Sequence, residues 1–134
     1  MSDQVLALLR RARTIAVIGL SEDESRPAYS VSKYMQGKGY RIIPVHPTAQ
    51  NVLGEKVYPS LSEAAKAEKI DIVDVFRRPD AVPAIVDEVS ALGLPFLWLQ
   101  ETVVHEEAAE KARRAGVMVV MDKCILKEHR RRGL

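Results

Sequence analysis

The 134-residue chain is 47% hydrophobic and 28% charged, with a formal net charge of +2. It has room for one ordinary domain of about 100–150 residues, which excludes a complete two-domain enzyme. The composition predicts a packed core rather than disorder, and the excess positive charge sits in the terminal KEHRRRGL, where Lys127, Arg130, Arg131 and Arg132 face only Glu128.

Residues 3 to 12, DQVLALLRRA, place Val5, Leu8, Leu9 and Ala12 at helical spacing behind a Ser2 or Asp3 cap, predicting a short amphipathic helix with an apolar face free to pair with a second copy. Thr14 to Leu20, TIAVIGL, is a β-branched run of the kind that fills a doubly buried parallel strand. Similar runs return as RIIPV (41–45), DIVDV (71–75), PFLWL (95–99) and GVMVVM (116–121), predicting five strands. Helix-length stretches separate them: Pro27 to Lys38, Leu61 to Glu68, Ala81 to Leu92 and His105 to Ala115. Ser60 with Glu63 reads as a capping box and Asp80 as a cap, while Gly39, Gly93 and Gly116 follow helix ends. This alternation predicts an α/β Rossmann-like three-layer sandwich over residues 1–134, a five-stranded parallel sheet with helices on both faces.

In open parallel sheets, ligands sit beyond the carboxyl ends of the strands, where strand order reverses. The segments there are GLSEDESRP (19–27), HPTAQNVLGEKVYPS (46–60), FRRP (76–79), QETV (100–103) and DKC (122–124). A dinucleotide fingerprint needs glycines at 19, 21 and 24, but the chain supplies Gly19, Ser21 and Glu24. Val45, His46 and Pro47 provide no acid for a ribose, so nicotinamide cofactors are disfavoured. The turn still leads into a helix N-terminus suited to a phosphate, flanked by Ser21, Arg26 and Ser30, provided that Glu22, Asp23 and Glu24 point to solvent.

GLSEDESRPAYSVSKYMQGKGYRIIPVHP, IDIVDVFRRPD, LWLQ and VVMDKC, in that order and spacing, resemble the small stand-alone CoA-binding proteins of bacteria and archaea. Those proteins are similar in turn to the CoA-binding domain of the succinyl-CoA synthetase alpha subunit. The resemblance spans roughly residues 10 to 124. It implies that Gly19, Leu20 and Ser21 lie against CoA phosphates, with Arg26, Pro27 and Ser30 entering the helix behind them. It implies adenosine contacts at Val45, His46 and Pro47, where a ligase would use a lysine; the nearest here is Lys56. Phe76 and Arg77, or the neighbouring Arg78, match the loop after the third strand, Leu99 and Gln100 that after the fourth, and Asp122 and Cys124 the end of the fifth. Ile125 departs from the proline that many relatives carry.

Cys124, the only cysteine, forms no internal disulfide, fits a reducing compartment, and either closes the sheet as a small residue or, as a thiolate favoured beside Lys123, forms a mixed disulfide by exchange with CoA disulfide. His46 is open between a ligand contact and a loop residue, His105 and His129 read as solvated, and Trp98 reads as core. No residue spacing suggests a metal site. The arginine run reads as a solvated tail, and nucleic acid is an unlikely partner. With no apolar run of membrane-spanning length and no signal-peptide pattern, the expected location is cytoplasmic. The sequence therefore predicts a module that binds coenzyme A or acyl-CoA without autonomous catalysis, as a sensor or carrier, possible as a homodimer or with a protein partner. The alternative is an enzyme component, either a ligase partner subunit or a thiol–disulfide protein acting through Cys124.

Overall fold

The computed structural model describes residues 3–134. In chain order it contains α1 (Gln4–Arg11), β1 (Thr14–Ile18), α2 (Pro27–Gly37), β2 (Arg41–Val45), β3 (Asn51–Val52), β4 (Glu55–Lys56), α3 (Leu61–Ala67) and β5 (Ile72–Val75). A 3₁₀ turn (Pro79–Ala81) then leads into α4 (Val82–Ala91), β6 (Phe96–Leu99), α5 (Glu106–Arg114), β7 (Met118–Val120) and α6 (Ile125–Arg131). The main sheet has five strands in the order β2-β1-β5-β6-β7. All its pairings are parallel, with Val17 aligned to Asp74 and Asp74 to Trp98. Strand order reverses between β1 and β5, so the carboxyl ends of those two strands flank the switch point.

Side chains alternate across the pleat and build two cores. Ile15 and Val17 of β1 pack with Leu8 and Leu9 of α1, Val31 and Met35 of α2, and Ile125 of α6. Ala16 and Ile18 face the opposite layer, with Leu61 of α3, Val86 of α4 and Ala112 of α5. Trp98 is fully buried, as expected of a core residue, and its Nε1–H donates to the Lys123 carbonyl at 2.8 Å. No described helix is long and apolar enough to cross a membrane.

Most end signals operate as read. The Asp3 carboxylate accepts from the Val5 and Leu6 amides at 3.1 Å, whereas Ser2 lies outside the described residues. Ser60 Oγ accepts from the Glu63 amide at 3.1 Å. Asp80 makes no capping bond, because the 3₁₀ turn places it ahead of α4. His105 is not a free surface residue: its Nδ1 accepts from the Ala108 amide at 3.1 Å and caps α5.

Three expectations are corrected. The segment 46–60 is more than a loop: β3 and β4 form a hairpin whose turn has positive φ at both Leu53 and Gly54, as a two-residue hairpin turn demands. Tyr58 then donates its amide to the Pro44 carbonyl and accepts from the His46 amide, both at 3.0 Å, covering the free edge of β2. The apolar face of α1 is not available for pairing, since Leu8 and Leu9 are buried within this chain. The basic tail is not a free solvated tail: Lys127 to Arg131 belong to α6 (Ile125–Arg131), which packs against α2.

The spacing of Ile125, His129 and Arg132 explains that last correction, because i, i+4 and i+7 share one helical face. Ile125 and His129 are buried. His129 Nδ1 lies 3.2 Å from Tyr34 Oη, and burial pushes its imidazole below the ordinary histidine range. Arg132 pairs with Glu128 and Asp3 at 2.9 Å, tying the end of α6 to the start of α1. Ile125→Ala is therefore expected to lower unfolding free energy by about 2–5 kcal/mol, the usual cost of a buried Ile truncation. Urea denaturation checks this, and a loss below about 1 kcal/mol would place α6 outside the cooperative core.

Candidate functional site

Gly19 organises the carboxyl edge. Its φ of +93° belongs to the left-handed region, where a side chain is strained, and a Cβ there would overlap the Phe76 carbonyl oxygen. Its N–H donates to the Val45 carbonyl at 3.0 Å, while the Phe76 N–H donates to the Ile18 carbonyl at 2.9 Å. The ends of β1, β2 and β5 are thus drawn together at one glycine.

The loop from Ser21 to Arg26 folds on itself. Asp23 Oδ1 accepts from the Ser25 amide at 3.0 Å and the Ser25 hydroxyl at 2.6 Å. Those bonds, led by the hydroxyl, hold the Asp23 carboxyl below its usual range. Glu22 and Glu24 are exposed. Arg26 stands at the N-cap of α2 without a side-chain cap bond, so the first-turn amides have no side-chain acceptor.

Beyond these strand ends lies a cleft of about 980 Å³. Gly19, Ser21, Arg26 and Pro27 line one wall, and Val45, His46 and Pro47 another. Phe76, Arg77 and Arg78 line the floor beyond β5, while Gln100 and Cys124 close the β6–β7 side. Among the described residues, neither Arg77 nor Arg78 has an ion-pair partner within 4.0 Å. His46 Nδ1 accepts from the amides of Thr48 and Ala49 at 3.2 and 3.1 Å, so the neutral ring carries its proton on Nε2.

Four expected site residues do not line the cleft: Asp122, whose carboxylate accepts from the Thr102 amide, and three others. Leu20 and Leu99 are fully buried in opposite core layers. Ser30 is exposed, and its hydroxyl donates to the Pro27 carbonyl at 3.3 Å. Lys56 is also absent from the lining, its Nζ lying 5.0 Å above the Tyr58 ring. Conversely, the cleft includes Leu61 and Ile85, which the sequence reading assigned only to helices. Their depth in the cleft depends on how α3 and α4 pack, a long-range outcome without a local motif.

The β6–β7 corner carries the tightest backbone. Thr102 and Asp122 have φ of 71° and 62°, uncommon for residues with a side chain. The Thr102 amide donates to Asp122 Oδ1 at 2.8 Å, locking the two loops together. Behind them lies a buried polar pair: the Gln100 side-chain amide donates to Asp74 Oδ1, and its Oε1 accepts from the Ile125 amide at 3.3 Å.

The family model of the CoA binding domain matches residues 13–130. The chain belongs to the CoA-binding domain family. A Bacillus subtilis relative, the uncharacterized protein YneT, is 41% identical over 126 residues, covering 94% of this chain and 92% of the relative. A Thermus thermophilus structure, cell-free ID.343, is 42% identical with a TM-score of 0.90 and 98% of both chains covered. The ADP-forming acetate–CoA ligase of Methanocaldococcus jannaschii is 21% identical over 92% of this chain, a match that takes up only 18% of the ligase.

Within this CoA-binding domain, Asp74 is the one group whose ionisation is displaced most plainly. It is buried, and desolvation pushes its carboxyl up to about 7 despite the opposing hydrogen bonds from Gln100 and the Val75 amide. Between the unfolded value of 3.8 and the folded value of about 7 the native state holds the extra proton, so this group's contribution to stability falls as pH rises through that window. Asp74→Asn removes the buried charge. It is expected to match wild type near pH 4 and to exceed it by roughly a few kcal/mol at pH 8, as read from urea unfolding across that range. Equal stability of the two proteins at pH 8 would contradict this.

Proposed function

We propose that this domain binds coenzyme A, free or acylated, across the carboxyl-edge cleft and serves as a CoA sensor or carrier with no acyl-transfer step of its own. The observation that carries the reading is the conjunction of an uncapped α2 N-terminus with three arginines, Arg26, Arg77 and Arg78, around one cleft. CoA brings a pyrophosphate and a 3′-phosphate, and helix-end amides with planar guanidinium forks are matched to such oxyanions. Glu22 and Glu24 are exposed, whereas Asp23 lines the cleft and lies 3.6 Å from Arg26, an ion pair that a bound phosphate would have to displace.

In this reading, the pyrophosphate lies against Gly19, Ser21 and Arg26, the adenosine rests by Val45, His46 and Pro47, and Phe76 with Arg77 flanks the pantetheine start. The arm then runs toward Gln100 and Cys124, where the Cys124 thiolate could attack CoA disulfide, forming a mixed disulfide and releasing one CoA thiol. The lysine that a ligase would use after β2 has no counterpart in the cleft. The 3′-phosphate therefore falls to the arginines or to His46 through its Nε2–H. The membership of the matched segment in much longer ligases supports a cofactor-holding role.

Calorimetric titration should give a binding isotherm with CoA and none with NAD at the same concentration. Arg77→Ala should weaken CoA binding about tenfold or more, the scale of a lost charge-assisted hydrogen bond, and raised salt should weaken wild-type binding. Absence of heat at millimolar CoA would overturn the reading.

A further inference from the structure

Asp74 lies in the middle of the sheet on the face covered by α2 and α6, flanked in register by Val17 and Trp98. Burying a carboxylate there is costly unless it is paired or hydrogen-bonded. Its side-chain partner is Gln100, itself buried and part of the cleft lining. Gln100 in turn accepts the N–H of Ile125, the first residue of α6. That N–H has no acceptor inside its own helix, and Cys124 at the N-cap makes no side-chain cap bond. Gln100 thus replaces the missing cap from the loop after β6.

The amide of glutamine has a donor end and an acceptor end of nearly the same shape, so its orientation must be set from outside. An ionised carboxylate only accepts. It draws the NH₂ end of Gln100 to itself and leaves Oε1 for Ile125. A neutral acid or an asparagine both donates and accepts, so it no longer opposes the turned amide, and the Ile125 N–H alone is left to hold the orientation. The turned amide presents NH₂ to the Ile125 N–H, setting donor against donor.

We propose that Asp74 is a positioning residue for the cleft: acting through Gln100, its carboxylate fixes the amide orientation that anchors the first turn of α6, and with it the cleft wall at Cys124. The proposal rests on the CoA-binding reading for its effect on affinity, but the anchoring itself is independent of any ligand. Among the described residues, Asp74 is the buried acid at the tether, and His129 of α6, 3.2 Å from Tyr34 Oη and pushed below the ordinary histidine range by burial, is the buried base on the same face. The buried residues of α2 are Ala28, Val31, Ser32 and Met35; Lys123 is exposed, Lys127 pairs with Glu101 at 3.0 Å, and Cys124 is half-buried. Stability and binding then move in opposite directions. The neutral variant is the more stable protein and the poorer binder, whereas a merely structural role would move both together.

The experiment uses the intact chain and two readouts, CoA affinity by calorimetry and hydrogen exchange of the Ile125 amide by NMR, corrected for intrinsic rate. At pH 8, Asp74→Asn should raise the CoA dissociation constant about five- to tenfold, the range of an ordinary coupling between sites, and speed Ile125 exchange by a similar factor. At pH 5.5, where wild-type Asp74 is also neutral, both ratios should approach one. In the unsubstituted protein Ile125 exchange should accelerate as pH falls from 8 to 5.5, and in Asp74→Asn, which keeps His129, it should not. If wild type binds no CoA, the functional reading fails while Ile125 exchange still decides the tether. Unchanged Ile125 exchange, or an affinity ratio that is the same at both pH values, would overturn the proposal.

Discussion

The carboxyl edge of this sheet is built around the close approach of Gly19 to the carbonyl oxygen of Phe76. With no Cβ at that position, β1 can end in a left-handed turn directly against the end of β5, and its amide remains free to bond Val45 at the end of β2. The α2 N-terminus, the His46 turn and the Arg77–Arg78 floor owe their common orientation to this closure. Any larger residue at 19 would separate β1 from β5 at the switch point and divide the cleft.

A second constraint works from below. The Asp74–Gln100–Ile125 chain joins the central strand, the β6 loop and the last helix through two hydrogen bonds in a dry layer. Arg132, bonded to Asp3, closes the other end of the same helix onto α1. The terminal segment is therefore held at both ends by polar contacts and in the middle by Ile125 and His129. Retaining an ionisable group where it lowers stability above neutral pH fits a trade between stability and the geometry of a binding wall.

Much of the architecture was legible because its signals are local. Short, mainly apolar runs located the five strands, and Ser60 and Asp3 located helix starts. The missed features share a different origin. The β3–β4 hairpin turns through Leu53 in the left-handed region, where a leucine gives no turn signal. Helix α6 hides Ile125, His129 and Arg132 inside a run dominated by charge, and the net count of arginines says nothing about which face they share. In the candidate site, the loops after β1, β2 and β5 were readable from their place after strands. Leu20 and Leu99 were misplaced because residues adjacent to a cleft in sequence alternate across the pleat, and both turn inward. Asp74 falls inside the DIVDV run, but its partner Gln100 lies in the loop after β6, and only the folded register brings them together.

The central claim is that the edge assembled by Gly19 is a CoA site. An amide NMR titration of the intact chain with CoA tests it most directly. The account predicts shifts concentrated at Gly19, Ser21, Ala28, Arg77 and Gln100, with the opposite sheet edge around Arg13, Asp71 and Met118 unmoved. Shifts centred on that opposite edge, or none at saturating CoA, would contradict it.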